Sequence, residues 1–151
     1  MTAWEWIETT RLALTVRDSL PITAMLSGLH VVGMTVVVGA ALVSMLRLTG
    51  LALGQFSAVA IISTVRRGLL AGAALSVVTG ALLVLPRAAS AVGNDYFFRK
   101  MVMLGLALVV QLVVLPHAVR AEGGLARLAG PLGFVLWAAV AVLGCMYTLV
   151  E

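Results

Sequence analysis

Charged side chains are scarce in this chain. They make up 11% of its 151 residues against 62% hydrophobic ones, and such a balance excludes an ordinary soluble domain. There is a single cysteine, Cys145, so an internal disulfide is excluded and a small packing role inside an apolar stretch is expected. The long apolar stretches lack polar and apolar alternation, which excludes barrel strands. Also missing are the Cys-His spacing of zinc sites, a phosphate-cradling Gly-rich loop between strand and helix, and a carboxylate deep in an apolar stretch. A conventional transporter is thereby disfavoured. The seven methionines are scattered, without the Met-rich external segment that copper handling would use. No internal repeat is visible.

What is present is apolar length. A bilayer core about 30 Å thick needs roughly 20 apolar residues in a helix. Four segments meet that requirement: Pro21 to Leu46, Gly68 to Pro86, Met101 to Val119 and Pro131 to Val150. Exposed backbone polar groups are not tolerated in lipid, so each is expected as a helix. The predicted fold is all-α, an integral membrane four-helix bundle occupying residues 21–151. Residues 1–20 lack an apolar run and do not resemble a cleavable signal, so they are expected to remain in the protein. There Trp4, Trp6, Ile7, Leu14 and Val16 interleave with charges, as in an amphipathic helix lying in the headgroup layer; a soluble N-terminal helix is the alternative. Between the first two spans, Leu48 to Val65 is apolar but broken by Gly50, Gly54, Gln55, Ser57, Ser63 and Thr64, which predicts a second, short interfacial helix.

Arginine and lysine are balanced between the two ends. Arg11, Arg17, Arg87, Arg99 and Lys100 fall on one side, and Arg47, Arg66, Arg67, Arg120 and Arg127 on the other. Most acidic residues, Glu5, Glu8, Asp18, Asp95 and Glu151, lie with the first set, and Glu122 with the second. The second set is placed in the cytoplasm, which puts both termini on the periplasmic side of a bacterial inner membrane. The net charge of +4 and pI near 10.2 do not indicate a nucleic-acid partner, because helix-end arginines form no continuous basic surface. The lipid bilayer is the partner they imply. The cluster Asp95, Tyr96, Phe97, Phe98, Arg99 and Lys100 is expected at the interface or as the cap of a buried pocket.

Gly68, Gly72, Ser76 and Gly80 recur every four residues on the second span, a smooth stripe suited to close approach by a neighbouring helix or by a flat cofactor. Histidine inside a membrane marks a site. His30 lies ~13 Å into the first span, at a level expected to match Thr79, Gly80, Gln111 and Ala141. It is either a neutral side chain hydrogen-bonded to Gln111 or Thr79, or, the favoured reading, an axial ligand of haem b. His117 differs from it in depth by roughly 12 Å, so it is either a second iron ligand reached through a kink at Pro116 or an interfacial residue. Met103, Lys100, a partner subunit's residue or an open position are the other choices for the sixth ligand. Lys100 and Gln111 lie about 20° apart around the third helix, so one face carries both. Lys100 is placed to pair with a haem propionate or to snorkel to headgroups.

Leu29-His30-Val31-Val32-Gly33, Met45-Leu46-Arg47-Leu48-Thr49-Gly50, Thr79-Gly80 and Phe98-Arg99-Lys100 resemble a family of small bacterial four-helix membrane proteins. More remotely they resemble the CopD-type and HemJ-type protoporphyrinogen oxidase families, over about Pro21 to His117. The HemJ-type resemblance implies that His30 and Lys100 serve haem b and activity. Together the expected cofactor contacts are His30, Gly33, Thr79, Gly80, Lys100 and Gln111, with His30 and His117 as metal ligands. The expected function is haem-mediated electron transfer between a membrane or quinol donor and a periplasmic partner. The alternatives are a cofactor-free accessory subunit of a larger membrane complex and a porphyrin-oxidising enzyme. A homodimer sharing a cofactor at its interface is a further possibility.

Overall fold

The structure, a computed structural model, describes residues 2–121 and 124–150, with the side chains of the last helix described to Tyr147. Glu122 and Glu151, used above to orient the chain, lie outside the described residues. Among the described residues every regular element is helical. Helices α1 (Ala3–Glu8) and α2 (Arg11–Asp18) precede the four long ones. The first span is α3 (Leu20–Thr49). The second is α4 (Ala58–Val84), continued through a 3-10 turn, Leu85–Arg87, into α5 (Ala88–Val92). The third is α6 (Asp95–Val109), a π-helical turn, Val110–Val114, and α7 (Leu115–Arg120); the fourth is α8 (Leu125–Val150). All four are long and apolar enough to cross a membrane, and between 28% and 33% of each is buried within the chain. The rest faces outward, with Val31, Val32, Val77, Val78, Val109, Val113, Val135 and Val142 all exposed. In water such a surface would drive aggregation; in a bilayer it is the solvated surface.

Helix ends follow local chemistry. Thr2 and Glu5 form a reciprocal capping box on α1, and the Thr10 hydroxyl accepts from the Ala13 amide at the start of α2. The N-terminal segment is thus two short helices, not one, because Thr9 and Thr10 turn the chain between them. Ala13 and Val16 of α2 are buried, the Glu8 carboxylate accepts from the Ala89 amide at 2.8 Å, and the Thr23 hydroxyl donates to the Val16 carbonyl at 2.6 Å. These contacts dock the segment on the corner between the second and third spans, at the end of the bundle where α3 begins and α8 finishes, hereafter the terminal end. Trp4 and Trp6 remain exposed there.

Leu48 to Val65 does not form the separate surface-lying helix expected. α3 runs on through Thr49 and stops at Gly50, whose φ of 78° is the left-handed closing conformation glycine favours. Ser57 then caps α4 by accepting from the Ala60 amide. The break is therefore confined to residues 50–57, and Ser63 and Thr64 sit within α4 by donating their hydroxyls to the Ala60 carbonyl. The fourth helix begins at Leu125, ahead of the Pro131 start read from hydropathy, and carries Pro131 inside it. Pro116 follows the π turn, in which the Leu115 amide reaches back five residues to Val110. The widened turn accommodates the missing proline donor without ending the span. Cys145, expected as a packing residue, is exposed.

The helices form a ring in which α3 packs on α4 and on α8, and α8 packs on α6. The second span meets the third mainly through α7, at the end opposite the termini. One core cluster centres on Val37, Ala41, Leu69, Ala73, Ala107, Trp137 and Val140. A second, toward the opposite end, joins Leu48, Ile62, Leu115, Ala118, Val119 and Ala129.

The tightest contact is the α3–α4 crossing. A Cβ on Gly33 would lie 2.8 Å from the Gly72 carbonyl oxygen, and a Cβ on Gly72 would lie 2.8 Å from the Gly33 carbonyl oxygen. Two backbones touch, as the small-residue stripe requires. Gly33→Val is therefore expected to cost about 1–3 kcal/mol through forced separation of the helices. Gly39→Ala, with nothing within 4 Å of its new methyl, is expected to be neutral or stabilising. Thermal unfolding in detergent followed by circular dichroism checks this, and equal effects at the two sites would show that the crossing is not tight.

Candidate functional site

The site grows out of that crossing. Two turns along α4 from Gly72, Gly80 faces His30 so closely that a Cβ there would lie 2.9 Å from the imidazole Cε1. The Ser76 hydroxyl donates to the His30 carbonyl at 3.3 Å, and His30 Nδ1 lies 2.9 Å from the Ser76 carbonyl oxygen and 3.2 Å from the Thr79 hydroxyl. A carbonyl only accepts, so Nδ1 is the ring nitrogen that carries the proton. Thr79 sends its own hydroxyl hydrogen to the Leu75 carbonyl at 2.6 Å, which leaves its oxygen free to accept from the same N–H. In the neutral ring Nε2 then holds the lone pair. Fixing Nδ1 on a backbone carbonyl is how proteins commonly orient a ligating imidazole.

At Gly80 the stripe is met by the imidazole of His30. Gly33 and Gly72 are filled by each other's backbone and by Val36 and Ser76. Of the expected set, His30, Gly33, Thr79 and Gly80 come together on the α3–α4 interface.

Lys100 stands on another helix pair, α6 and α8. Its side chain turns inward against α8, where a Cβ on Gly144 would stand 3.3 Å from Nζ and 3.5 Å from Cε. Lys100 is half-buried and makes no hydrogen bond or ion pair among the described residues. One turn nearer the terminal end, Phe97 packs on the buried Tyr147 with ring centroids 5.7 Å apart. From the aromatic cluster read in the sequence, Phe97 is thus the ring that packs inside the bundle against α8.

Gln111 and His117 are elsewhere. Gln111 is buried in the π turn with its side-chain oxygen 3.0 Å from where a Gly133 Cβ would be. Gly133 lies eleven residues from Gly144 on α8, about 16 Å along the axis, so Gln111 does not meet His30. His117 is exposed and places Nδ1 2.8 Å from the carbonyl of Val113 in its own helix. It lies beside Leu115 and Ala118, which pack with Leu48 of α3; Leu48 is eighteen residues from His30, roughly 27 Å along that helix. The two histidines cannot ligate one metal. Their separation exceeds the sequence-based value because the first turn of α3 stands beside α2 instead of inside the bundle, which moves His30 toward the terminal end. Among the described residues, no group of three or more His, Cys, Asp or Glu side chains could hold a metal ion.

Trp137 escaped the sequence reading. It is 1% exposed, stands one turn from Gly133 on α8, and its Nε1 has no hydrogen-bond partner among the described residues. A tryptophan at mid-span, away from the interfacial belts where this residue concentrates, was the available signal.

Comparison with protein-family models, with curated proteins and with solved structures finds no match to this chain. The functional argument therefore stands on the residues themselves.

Two consequences are measurable. Gly80→Ala should cost about 1–2 kcal/mol by displacing the imidazole, and His30→Ala should remove most of that cost, giving a coupling energy in a double-mutant unfolding cycle. Additive effects would mean the ring does not rest on Gly80. Lys100→Met should raise the melting temperature of the protein in detergent, because replacing a half-buried unpaired ammonium by an apolar chain of similar volume stabilises by about 1 kcal/mol or more. A lower melting temperature would show that the ammonium has a stabilising partner.

Proposed function

We propose that the chain is a haem b protein of the bacterial inner membrane that passes electrons between a membrane or quinol donor and a periplasmic partner. The observation that carries the reading is the imidazole of His30, held through Nδ1 on the Ser76 carbonyl with Nε2 free of any hydrogen bond among the described residues. His30 would ligate iron through Nε2, and Ser76 and Thr79 would fix the ring that does so. Lys100, turned inward against Gly144, would supply a positive charge suited to a porphyrin propionate. Haem, when bound, supplies one-electron chemistry. His117, Gln111, Gly33 and Gly80 have no part in holding it on this reading. The arginine end, with Arg47, Arg66, Arg67, Arg120 and Arg127, would face the cytoplasm, and both termini the periplasm. The resemblance to HemJ-type proteins extends the same two residues, His30 and Lys100, to porphyrin oxidation with a quinone acceptor.

A second reading has its own support. The His30 ring already fills the space above Gly80 and ties α3 to α4, which is what an interhelical strut in a cofactor-free accessory subunit of a larger membrane complex would do.

Detergent-purified protein separates the two readings by its reduced-minus-oxidised spectrum, recorded as isolated and after addition of haemin. A b-type band is expected, lost in His30→Ala and kept in His117→Ala. Folded wild-type protein that stays colourless with haemin refutes the haem reading and leaves the accessory role.

A further inference from the structure

At the opposite end from His30, a cavity of about 270 Å³ lies between the second and third spans. Its walls include Leu70 of α4 and Pro116 and Val119 of α7, and three guanidinium groups border it, those of Arg66, Arg67 and Arg120. None of the three arginines has an ion pair or hydrogen bond among the described residues, and all are exposed. Arg66 and Arg67 do not sit at the helix start. They lie eight and nine residues beyond Ala58, roughly 12 Å along α4, directly before the apolar run that begins at Gly68. Arg120 closes the third span. The three arginines therefore border one largely apolar cleft from two helices, at the ends of two apolar spans.

We propose that this cleft is a binding site for an anionic phospholipid. Guanidinium groups pair with phosphate oxygens through paired N–H donors, and three of them without a carboxylate partner among the described residues leave a positive charge that a zwitterionic headgroup compensates poorly. Basic pockets between transmembrane helices select anionic headgroups for this reason. The cleft is too small for a whole lipid. It takes the glycerol and upper acyl segment beside Leu70 and Val119, while the remaining chain lies along the outward faces of α4 and α7. The lipid would bridge the second and third spans where α7 makes their main contact, and this inference is independent of whether His30 holds iron.

Native mass spectrometry of the full chain in detergent, titrated with phosphatidylglycerol or phosphatidylcholine, tests the site. One tightly retained phosphatidylglycerol per chain is expected, with phosphatidylcholine at background. Arg66→Gln/Arg120→Gln should weaken retention by about thirtyfold, taking each cation as worth about one headgroup contact. Arg47→Gln/Arg127→Gln removes the same charge outside the cleft and should leave retention within about twofold. Leu70→Trp fills the cleft with all arginines intact and should abolish retention, which decides the matter if the arginine variant does not fold. Equal binding of phosphatidylcholine, equal loss in the Arg47/Arg127 variant, or full retention in Leu70→Trp would each overturn the proposal. Displacement by millimolar inorganic phosphate would reassign the site to a free anion and overturn it also.

Discussion

The structure depends on two glycine backbones meeting without side chains between them. With Gly33 and Gly72 in contact, α3 and α4 approach closely enough for the Ser76 hydroxyl to reach the His30 carbonyl and for the His30 ring to reach back to the Ser76 carbonyl. In lipid no gain from burying apolar surface drives helices together, so such van der Waals contact and interhelical hydrogen bonding supply the association. The placement of the imidazole follows from the packing. A ring over Gly80 has one orientation in which Nδ1 meets both acceptors, and that orientation fixes which nitrogen stays free.

The charge distribution follows a related logic. Lys100 is turned into the bundle against Gly144, where the absence of a Cβ makes room for its ammonium. An inward cation without a carboxylate partner among the described residues is unfavourable in a low-dielectric interior. The arginines at the far end differ because they border an open cleft and remain exposed. One end of the bundle thus holds a half-buried cation turned inward, and the other holds exposed cations beside apolar surface.

Much of this was legible in the sequence and some was not, for identifiable reasons. Hydropathy located the four spans but clipped their ends, since Leu125 to Gly130 and Ala58 to Val65 continue helices that local capping starts and stops. Ser63 and Thr64 read as breakers, yet a hydroxyl that bonds to the carbonyl one turn back is no obstacle to a helix. The period of four from Gly68 to Gly80 gave the close approach, and only the structure supplied Gly33, Val36 and His30 as what approaches. Lys100 and Gln111 do share a helical face, but counting residues from assumed span entries cannot give depth, and Gln111 ended beside Gly133 instead of His30.

The pattern of helix contacts bears on what His30 and Lys100 can do together. His30 reaches from α3 to α4 and Lys100 from α6 to α8, so each side chain bridges a pair of helices already packed, and neither ties α4 to α6. The second and third spans are instead held mainly by α7, at the far end. If the two residues were only struts, each would stabilise its own pair, and their contributions would add. A ligand held by both joins the α3–α4 pair to the α6–α8 pair near the terminal end, so its binding free energy enters the stability of the whole bundle and makes the two residues interdependent. Coupling between residues on separate helix pairs is thus the physical difference between a shared site and two local supports.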